Sequence, residues 1–403
     1  MVFKNSSYWL DDTPPLNGDS TPPQDGGIAI IGSGISGVST AYFLHQLGFK
    51  HITLIDDQCE KSASFRNCGH ILYGTVESMK ALNDIHGEEK AKEIWQFSIE
   101  ICHEVRESVE KLNLEAEYKQ DGYLVIAIDE SENKEIEESI DILNKMGFQS
   151  SLIPRNQLLN MGFNNIFSAR YEHGSAQIHP IKFRNGLLQY CLNNNIAYHS
   201  NCNVTKVSES NGKVEIIANN KRLSYDAAVI ATNAYSPLLS DFFKTRQLIE
   251  PYRGQILAST PLKEKIPISY PHSFDHGYEY ALSSRDNRLL IGGWRNQVPA
   301  KEIGIYDLET NFEITQGLIE FVKKHYTFKN EITWEYSWSG IMASSKTGFP
   351  FIGPTNSTLI FTCAGYTGHG LSWAHGSAKL LAKIMAGQQI PSVARYFNPN
   401  SIS

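Results

Sequence analysis

The sequence predicts an α/β protein in which a doubly wound domain, built from separate segments of the chain, carries an inserted α+β domain with a mixed or antiparallel sheet. Three observations lead to this prediction. A strand, a glycine turn, a helix and a second strand follow one another from Gly27 to Ile55. A similar strand, glycine turn and helix recur near the C-terminus. Between them, amphipathic helices alternate with short β-like runs, which is typical of an α+β insertion.

The composition excludes several other classes of protein. The chain has 403 residues, of which 41% are hydrophobic and 20% charged, as in soluble globular proteins. It contains 36 Lys and Arg against 43 Asp and Glu, and this net charge of −7 argues against nucleic acid as a partner. No apolar run approaches the roughly 18 residues of a transmembrane segment, and the six cysteines form no Cys-x-x-Cys pair. We therefore expect a cytoplasmic protein, and the oligomeric state stays open.

The first elements form a β-α-β unit. The apolar run at 28–31 predicts a strand buried on both faces. Apolar residues at helical spacing from Ile35 to Leu44 predict a helix that stops at Gly48, and residues 52–55 predict a second buried strand. Together they predict two parallel strands joined by a right-handed crossover.

The middle and end of the chain continue the alternation. Helical spacing predicts helices over 87–112 and 131–146, the second closed by Gly147 as a C-terminal cap. A last apolar strand at 359–362 leads through glycines into a helix that ends near Met385. The predicted domain boundaries follow from these elements: an irregular lead-in at 1–25, the doubly wound domain at 26–85, 155–240 and 336–395, and the inserted substrate domain at 86–154 and 241–335.

A glycine-rich turn links the first strand to the first helix. Its sequence, residues 32–37, is Gly-Ser-Gly-Ile-Ser-Gly. The first glycine permits the tight turn, the second lets a pyrophosphate approach the backbone, and the third allows close packing of helix and strand. Asp56, with Asp57 beside it, follows the second strand, where a carboxylate can accept the hydroxyls of an adenosine ribose and disfavours a 2′-phosphate. The turn therefore predicts a dinucleotide site that does not favour NADP.

Two further loops suggest that the cofactor is extended. The first, residues 62–70, is polar and rich in small side chains. The second, residues 363–371, is a glycine-bearing transition from strand to helix, and its helix N-terminus can stabilise an anion on a ligand. Two such turns at opposite ends of the chain suggest a cofactor held at both ends.

In the order of its motifs the sequence resembles the FAD-dependent D-amino-acid oxidase superfamily, which includes glycine oxidase and sarcosine oxidase, and especially its γ-glutamylputrescine oxidoreductase-like branch of amine oxidoreductases. The resemblance covers nearly the whole chain from Ser7 onward. Beside the glycine turn, it rests on the ordered segments 64–69, 121–124, 178–180, 231–235, 286–293, 338–340, 349–353 and 365–370. It implies a Rossmann-like FAD-binding domain with one non-covalent FAD.

The resemblance also implies which residues contact FAD. Gly32, Gly34 and Gly37 would hold the pyrophosphate and Asp56 the ribose, while the turn at 368–371 would face the pyrimidine edge of the flavin. The other implied contacts are Ile35, Ser36, Asp57, Arg66, Asn67, Cys68, Gly69, His70, Val204, Asn233, Gly365, Gly368, His369, Gly370 and Leu371. His70 is also the residue to consider for a covalent link, although the attachment motif of relatives fits poorly here.

Four residues are candidates for the catalytic part of the site. Tyr278 and Tyr280 lie on one side of a predicted strand, where they either line the substrate or pack. Arg253 is either a substrate anchor or a domain-interface residue. Lys346 either promotes oxygen reduction by its charge or is solvated. Sarcosine-oxidase-like relatives have a substrate-binding lysine where this chain has Ser372, and many carry an aspartate near Pro350 where this chain has Lys346-Thr347-Gly348.

The implied reaction is oxidation of the C–N bond of an amine. Hydride passes to flavin N5, the imine is hydrolysed, and oxygen or another acceptor reoxidises the flavin. Since Ser372 replaces an ammonium group, we expect the reacting carbon to carry no carboxylate. Two alternatives stay open: an oxidase or dehydrogenase of amino acids of the glycine, sarcosine or D-amino-acid type, and a flavin-bearing assembly or binding protein without turnover.

Overall fold

The computed structural model describes residues 3–266, 268 and 270–402. Its α-helices are α1 Tyr8–Asp12, α2 Ile35–Gln46, α3 Met79–His86, α4 Glu88–Lys111, α5 Glu130–Lys145, α6 Arg155–Asn160, α7 Pro180–Asn193, α8 Ser236–Leu239, α9 Asp241–Arg246, α10 Phe312–His325 and α11 Gly370–Met385. The first strands are β1 Ile28–Ile31, β2 Ile52–Ile55, β3 His70–Ile71, β4 Tyr123–Ile126, β5 Ser150–Ile153, β6 Ala169–Glu172, β7 Ala176–Gln177, β8 Ala197–His199, β9 Val204–Ser210 and β10 Lys213–Ala218. The remaining strands are β11 Lys221–Tyr225, β12 Ala227–Ile230, β13 Ile249–Ser259, β14 His272–Phe274, β15 Glu279–Ser283, β16 Leu289–Gly292, β17 Trp334–Ser345, β18 Phe351–Pro354 and β19 Ile360–Ala364.

A six-stranded sheet forms the centre of the first domain. Its order is β18-β19-β12-β1-β2-β8, and every neighbouring pair is parallel except β18 with β19. Helices α2, α4, α7 and α11 cover one face, where they bury Ile28 and Ile30 of β1. The antiparallel sheet β9-β10-β11 covers the other face, against Ala29 and Ile31. Both faces of β1 are therefore buried, as its unbroken apolar run predicted.

An eight-stranded sheet forms the centre of the second domain. Its order is β17-β13-β16-β15-β14-β4-β6-β5, with only β14 and β4 parallel to each other. Helix α10 covers one face over an aromatic core that includes Phe163, Phe274 and Phe321. The opposite face is turned toward the first domain. The α/β fold with a mixed-sheet insertion, predicted from the sequence, is confirmed.

Several elements lie in a different domain from the one the sequence suggested, including α6, which packs in the core of the eight-stranded sheet, and α9, which packs against the six-stranded sheet. Helix α4, expected in the inserted domain, packs its apolar side on α11 and α3 in the core of the six-stranded sheet. Strands β6 and β17, expected in the doubly wound domain, are strands of the eight-stranded sheet. The apolar side of an amphipathic helix predicts that this side is buried, but not which element packs against it. The sheet that a strand joins depends on its pairing with strands elsewhere in the chain.

The lead-in contains a short helix that joins the two domains. Trp9 of α1 is 4% exposed, and its indole Nε1 donates a hydrogen bond of 2.8 Å to the carbonyl of Asn67. Lys4 pairs with Tyr336 of β17 as an isolated parallel bridge. The lead-in is therefore part of the packed structure.

Two general features complete the fold. Within the described residues, no helix is both long enough and apolar enough to cross a membrane. All six cysteines are buried and unpaired: Cys59, Cys68, Cys102, Cys191, Cys202 and Cys363.

Candidate cofactor and substrate site

A cavity of about 1230 Å³ lies between the two sheets. On one side it is lined by the glycine turn after β1, the end of β2 and the loop 62–70. On the other side it is lined by the turn 366–372 and by the free face of the eight-stranded sheet. The two glycine turns at opposite ends of the chain thus meet at one cavity.

The three glycines of the first turn differ in what surrounds them. Gly32 has a φ of +99° and lines the cavity, as does Gly34. A Cβ at Gly34 would lie 2.8 Å from the hydroxyl of Ser64, so a side chain there would fill the cradle between turn and loop. A Cβ at Gly37 would lie 1.8 Å from the carbonyl oxygen of Gly32, and Gly37 does not line the cavity. The first two glycines leave room for a ligand, whereas the third permits close packing.

Ile35, Ser36, Asp56 and Asp57 also line the cavity. The carboxylate of Asp56 accepts a hydrogen bond from the backbone N–H of Ser33. Burial raises the pKa of Asp56, and the hydrogen bonds from Ser33 partly oppose this shift. The end of β2 therefore places a carboxylate beside the N-terminus of α2.

Arg184 of α7 supports this turn from beneath and was not singled out from the sequence. It is fully buried, and it donates from Nε to the carbonyl of Ser33 at 2.8 Å and from Nη2 to the Ser33 hydroxyl at 2.9 Å. Its guanidinium also lies over the rings of Phe65 and Tyr198. A buried arginine with two bonds to one turn residue fixes the conformation of the turn.

The loop 62–70 is held by two tryptophans and by its own side chains. Trp338 Nε1 donates to the carbonyl of Arg66 at 3.1 Å, beside the bond from Trp9 to Asn67. Arg66 Nη1 donates to the carbonyl of Ser339 at 2.9 Å. Arg66, Asn67, Cys68, Gly69 and His70 all line the cavity. The loop therefore presents a fixed surface to a ligand.

His70 and Cys68 face the cavity as neutral groups. His70 Nε2 is buried and has no hydrogen-bond partner among the described residues. Burial lowers the pKa of His70 to about 3 and raises the pKa of the Cys68 thiol well above its usual range. The imidazole is thus uncharged at neutral pH and has an unused nitrogen.

The second glycine turn leads into α11. Gly368, His369, Gly370 and Leu371 line the cavity, whereas Gly365 does not; its N–H donates to Asn233 Oδ1 at 2.8 Å. Asn233 and Val204 line the cavity as well. All implied FAD contacts except Gly37 and Gly365 therefore lie around one cavity.

The hydroxyl of Ser372 is engaged in a hydrogen bond within the protein. Its side chain is buried, and its hydroxyl accepts a hydrogen bond of 2.7 Å from the backbone N–H of Leu72. The hydroxyl thus positions the strand after the loop 62–70, and α11 offers no cation at this place.

The free face of the eight-stranded sheet forms the opposite wall. Cross-strand pairing places one row of residues on this face: Arg170, Val125, Ser273, Tyr280, Gly292 and Ile256. A Cβ at Gly292 would lie 2.6 Å from the Tyr280 ring, so the tyrosine lies over this glycine. Tyr278 also lines the cavity. The two tyrosines named from the sequence therefore face the glycine turns across the cavity.

Arg295 is a cation in this wall that the sequence analysis did not single out. Its guanidinium lies 4.3 Å from the centroid of the Tyr252 ring and 5.1 Å from that of Tyr278. Among the described residues it has no carboxylate within salt-bridge distance, and Nη1 makes only a long bond of 3.4 Å to the carbonyl of Lys301. Burial raises the pKa of Tyr252 to about 12. A turn after Gly292-Gly293 is the only sequence signal that marks this position.

Arg253 and Lys346 lie away from the cavity lining. Arg253 is 8% exposed; its Nε donates to Glu302 at 2.5 Å and its Nη1 contacts Asp307. Lys346 is exposed in the turn between β17 and β18. Arg253 thus connects β13 to the segment 302–307 that crosses it, and neither residue reaches the other candidates.

Comparison with known proteins bears on this site. A family model described as FAD dependent oxidoreductase (DAO) matches residues 27–384. The probable oxidoreductase OrdL of Haemophilus influenzae is 24% identical over 94% of this chain and 88% of its own length. The gamma-glutamylputrescine oxidoreductase of Escherichia coli is 21% identical over 89% of this chain and 83% of its own. Glycine oxidase from Geobacillus kaustophilus is 16% identical and superposes with a TM-score of 0.78, covering 93% of this chain and 98% of that one, which shows the fold.

Proposed function

Because the chain belongs to the DAO family of FAD-dependent oxidoreductases, we propose that it oxidises the carbon–nitrogen bond of an amine by FAD bound in the cavity between the two sheets. One observation carries the proposal: two glycine turns and a fixed polar loop face an aromatic wall across a single cavity. Nucleotide and substrate would therefore bind in contact with each other.

The residues at the cavity fit FAD. The cradle at Gly34, which a Cβ would fill, and the N-terminus of α2 suit a pyrophosphate, and Asp56 suits the ribose. The loop 66–70 and the turn 368–371 would flank the flavin ring, while Gly37 and Gly365 act through backbone packing. Bound FAD supplies the two-electron acceptor for the hydride that leaves the carbon next to nitrogen.

The chain's own residues favour the neutral form of the amine. An alkylamine with a pKa of about 10.4 is only about one part in 2,500 neutral at pH 7. The unpaired guanidinium of Arg295, together with the buried ring of Tyr252 and the half-buried ring of Tyr280, disfavours an ammonium group in the same cavity. The free nitrogen of His70 would hydrogen-bond the substrate amine and orient it, and its lack of a partner among the described residues supports this role.

The reacting carbon of the preferred substrate carries no carboxylate. The hydroxyl of Ser372 accepts from the N–H of Leu72 and donates to the carbonyl of His70 at 3.5 Å, so α11 offers no charge at this place to an α-carboxylate. The second candidate is an amino-acid substrate, and the observation that favours it is the unpaired charge of Arg295.

The test is anaerobic flavin reduction by a panel of alkylamines, sarcosine, glycine and D-alanine. We expect alkylamines to bleach the flavin of the wild-type protein. The Arg295→Met variant should reduce more slowly at pH 7, because the substrate ammonium is no longer disfavoured, while Arg285→Met, which changes an exposed arginine, should not. Bleaching by amino acids alone, lost in Arg295→Met, would favour the second candidate. A flavin that no compound bleaches would overturn enzymatic function.

A further inference from the structure

A buried ion pair lies at the far end of the cavity wall. Arg170 and Glu172 of β6 point to the same face of the sheet because they are two residues apart. Arg170 Nη2 contacts Glu172 Oε1, and the two side chains are 9% and 5% exposed. Both line the cavity, and neither belongs to a motif that the sequence analysis used.

The pair includes a buried donor that is not used. Arg170 Nη1 is buried and has no hydrogen-bond partner among the described residues. Both carboxylate oxygens of Glu172 have a partner: Oε1 contacts Arg170, and Oε2 accepts a hydrogen bond of 2.7 Å from the Ser175 hydroxyl. The Arg170 guanidinium also lies over the Trp95 ring, at 5.5 Å from its centroid, which fixes its plane. A fixed, buried N–H group without an acceptor is costly unless a ligand supplies one.

The charge of the pair decides which acceptor fits. Glu172 already neutralises Arg170, so a ligand carboxylate would leave one buried negative charge uncompensated. An uncharged oxygen, such as a hydroxyl or carbonyl, would satisfy Nη1 without adding charge. In this respect Arg170 differs from Arg295, whose charge is free.

The register of the sheet gives the distance from the aromatic part of the wall. Arg170 pairs with Val125, which pairs with Ser273, which pairs with Tyr280. Three strand spacings, of roughly 4.8 Å each, separate Arg170 from Tyr280 along this row. A group that meets Arg170 is therefore several bonds away from a group that meets Tyr280.

We propose that Arg170 binds an uncharged oxygen acceptor of the substrate, several bonds from the reacting nitrogen, and so makes Arg170 and Glu172 determinants of substrate specificity. The inference rests on the proposed function, because it places the amine at the aromatic part of the wall. Its substrate class is an amine with a distal hydroxyl or carbonyl group.

Calorimetric titration of the holoenzyme, reduced beforehand with dithionite under anaerobic conditions, measures binding without turnover. The probes are 10-aminodecanol, undecylamine and 10-aminodecanoate, which are long enough to span the roughly 14 Å between Arg170 and Tyr280 and which end in a hydroxyl, a methyl and a carboxylate group. We expect aminodecanol to bind at least about fivefold more tightly than either other probe, as one hydrogen bond to a charged donor allows. Equal affinities, or tighter binding of aminodecanoate, would overturn the inference.

Two variants test the residues themselves. Arg170→Lys keeps a charge beside Glu172 but removes the forked second donor, so aminodecanol should lose its advantage while undecylamine binds as before. Glu172→Gln leaves Arg170 uncompensated, so aminodecanoate should become the tightest probe. Arg288→Lys, at a partly buried arginine paired with Asp286 and Glu335 outside the cavity, is the matched control and should change nothing.

The outcomes distinguish this inference from the function on which it rests. A preference for aminodecanol that survives in both Arg170→Lys and Glu172→Gln would overturn the role of the pair, even if amines bleach the flavin. If Arg170→Lys fails to fold, the switch expected in Glu172→Gln still decides. If no amine reduces the flavin, the proposed function fails, although binding to the reduced protein can still be measured.

Discussion

Glu279 is a carboxylate that β15 turns away from the cavity, between the two tyrosines that line it. It is 1% exposed and accepts a hydrogen bond of 3.1 Å from the backbone N–H of Trp294. Burial, with the nearby charge of Asp275, raises its pKa to about 8. In the unfolded chain the group titrates near its ordinary value, so the folded state holds the proton over a wider range of pH.

The free energy of unfolding should therefore fall as pH rises from about 4.5 to about 8, because the folded protein binds more protons there. The slope from this group is at most about 1.4 kcal/mol per pH unit. Glu279→Gln should remove this decline, measured by urea unfolding at several pH values. Glu320→Gln, at an exposed residue of α10, is the control. Identical pH slopes in wild type and Glu279→Gln would contradict the prediction.

The absence of a side chain at Gly34 leaves the space in which the cofactor pyrophosphate would bind. Gly34→Val places a branched side chain in the cradle beside Ser64, where a pyrophosphate would lie. We expect protein that folds but purifies with little FAD, measured as the ratio of flavin to protein absorbance. Gly48→Asn, at an exposed helix end with open space around it, should retain the cofactor. Full FAD content in Gly34→Val would place the pyrophosphate elsewhere.

Some residues of the site can be predicted from the sequence and others cannot. The glycine turns, Asp56 and the loop 66–70 were found because their chemistry is written in consecutive positions. Arg170, Arg184 and Arg295 were not found, because an arginine becomes a ligand-facing or supporting residue only through partners far along the chain. Arg253 shows the reverse: it was a reasonable anchor by type, but Glu302 and Asp307 occupy it.

At the scale of elements, α1 acts as a clamp on the loop that lines the cavity. Trp9 combines a hydrogen bond to Asn67 with edge contacts to His179. Trp9→Ala should lower the free energy of unfolding by about 3 to 5 kcal/mol and weaken FAD binding, since the loop 66–70 loses its outer support. Trp9→Phe keeps most of the packing and should cost about 1 kcal/mol.

Urea unfolding and FAD titration of the apoprotein measure the two effects of the Trp9 substitutions. Phe167→Ala, at an exposed aromatic residue, is the control and should change neither quantity. Loss of stability without loss of FAD affinity would show that α1 supports the fold but not the loop.

The bounds of the helices and strands could be predicted more accurately than the elements against which they pack or pair. Strands 28–31 and 52–55 have the predicted bounds, and the helix predicted over 87–112 spans Glu88–Lys111. Gly147 follows α5 with a φ of +89°, as a helix-terminating glycine should. Periodicity determines each of these locally, whereas the sheet to which β6 or β17 belongs depends on pairing with other strands: β6 pairs with β4 and β5, and β17 pairs with β13.

At the scale of the whole molecule, buried neutral histidines set a lower pH limit for the fold. Burial lowers the pKa of His70 and of His375 to about 3, and that of His272 to about 4. In the unfolded chain these groups titrate near 6.5. The stability they allow is present above about pH 6.5 and is lost as pH falls toward 4, because the unfolded state then binds more protons.

The thermal midpoint of the holoprotein should therefore drop steeply between pH 6.5 and 4. His375 lies in the helical layer between the hydroxyls of Ser39 and Ser108, both 2.8 Å from its ring nitrogens. His375→Gln should reduce the steepness of the drop, although its midpoint at pH 7 will be lower. An unchanged slope would show that other groups cause the acid sensitivity.

The six buried thiols allow local opening of the protein to be measured by thiol modification, without any added label site. A thiol reagent reaches the cysteines outside the cavity only when the surrounding structure opens, so their rate of modification under native conditions measures how often each region becomes exposed. Cys191 and Cys363 report on the layers around the six-stranded sheet. Cys68 lines the cavity, so it should react faster in the apoprotein than in the holoprotein. The mass added to the protein by the reagent would then show whether FAD occupies the cavity. The number of labels per molecule thus separates emptying of the site from unfolding of the fold.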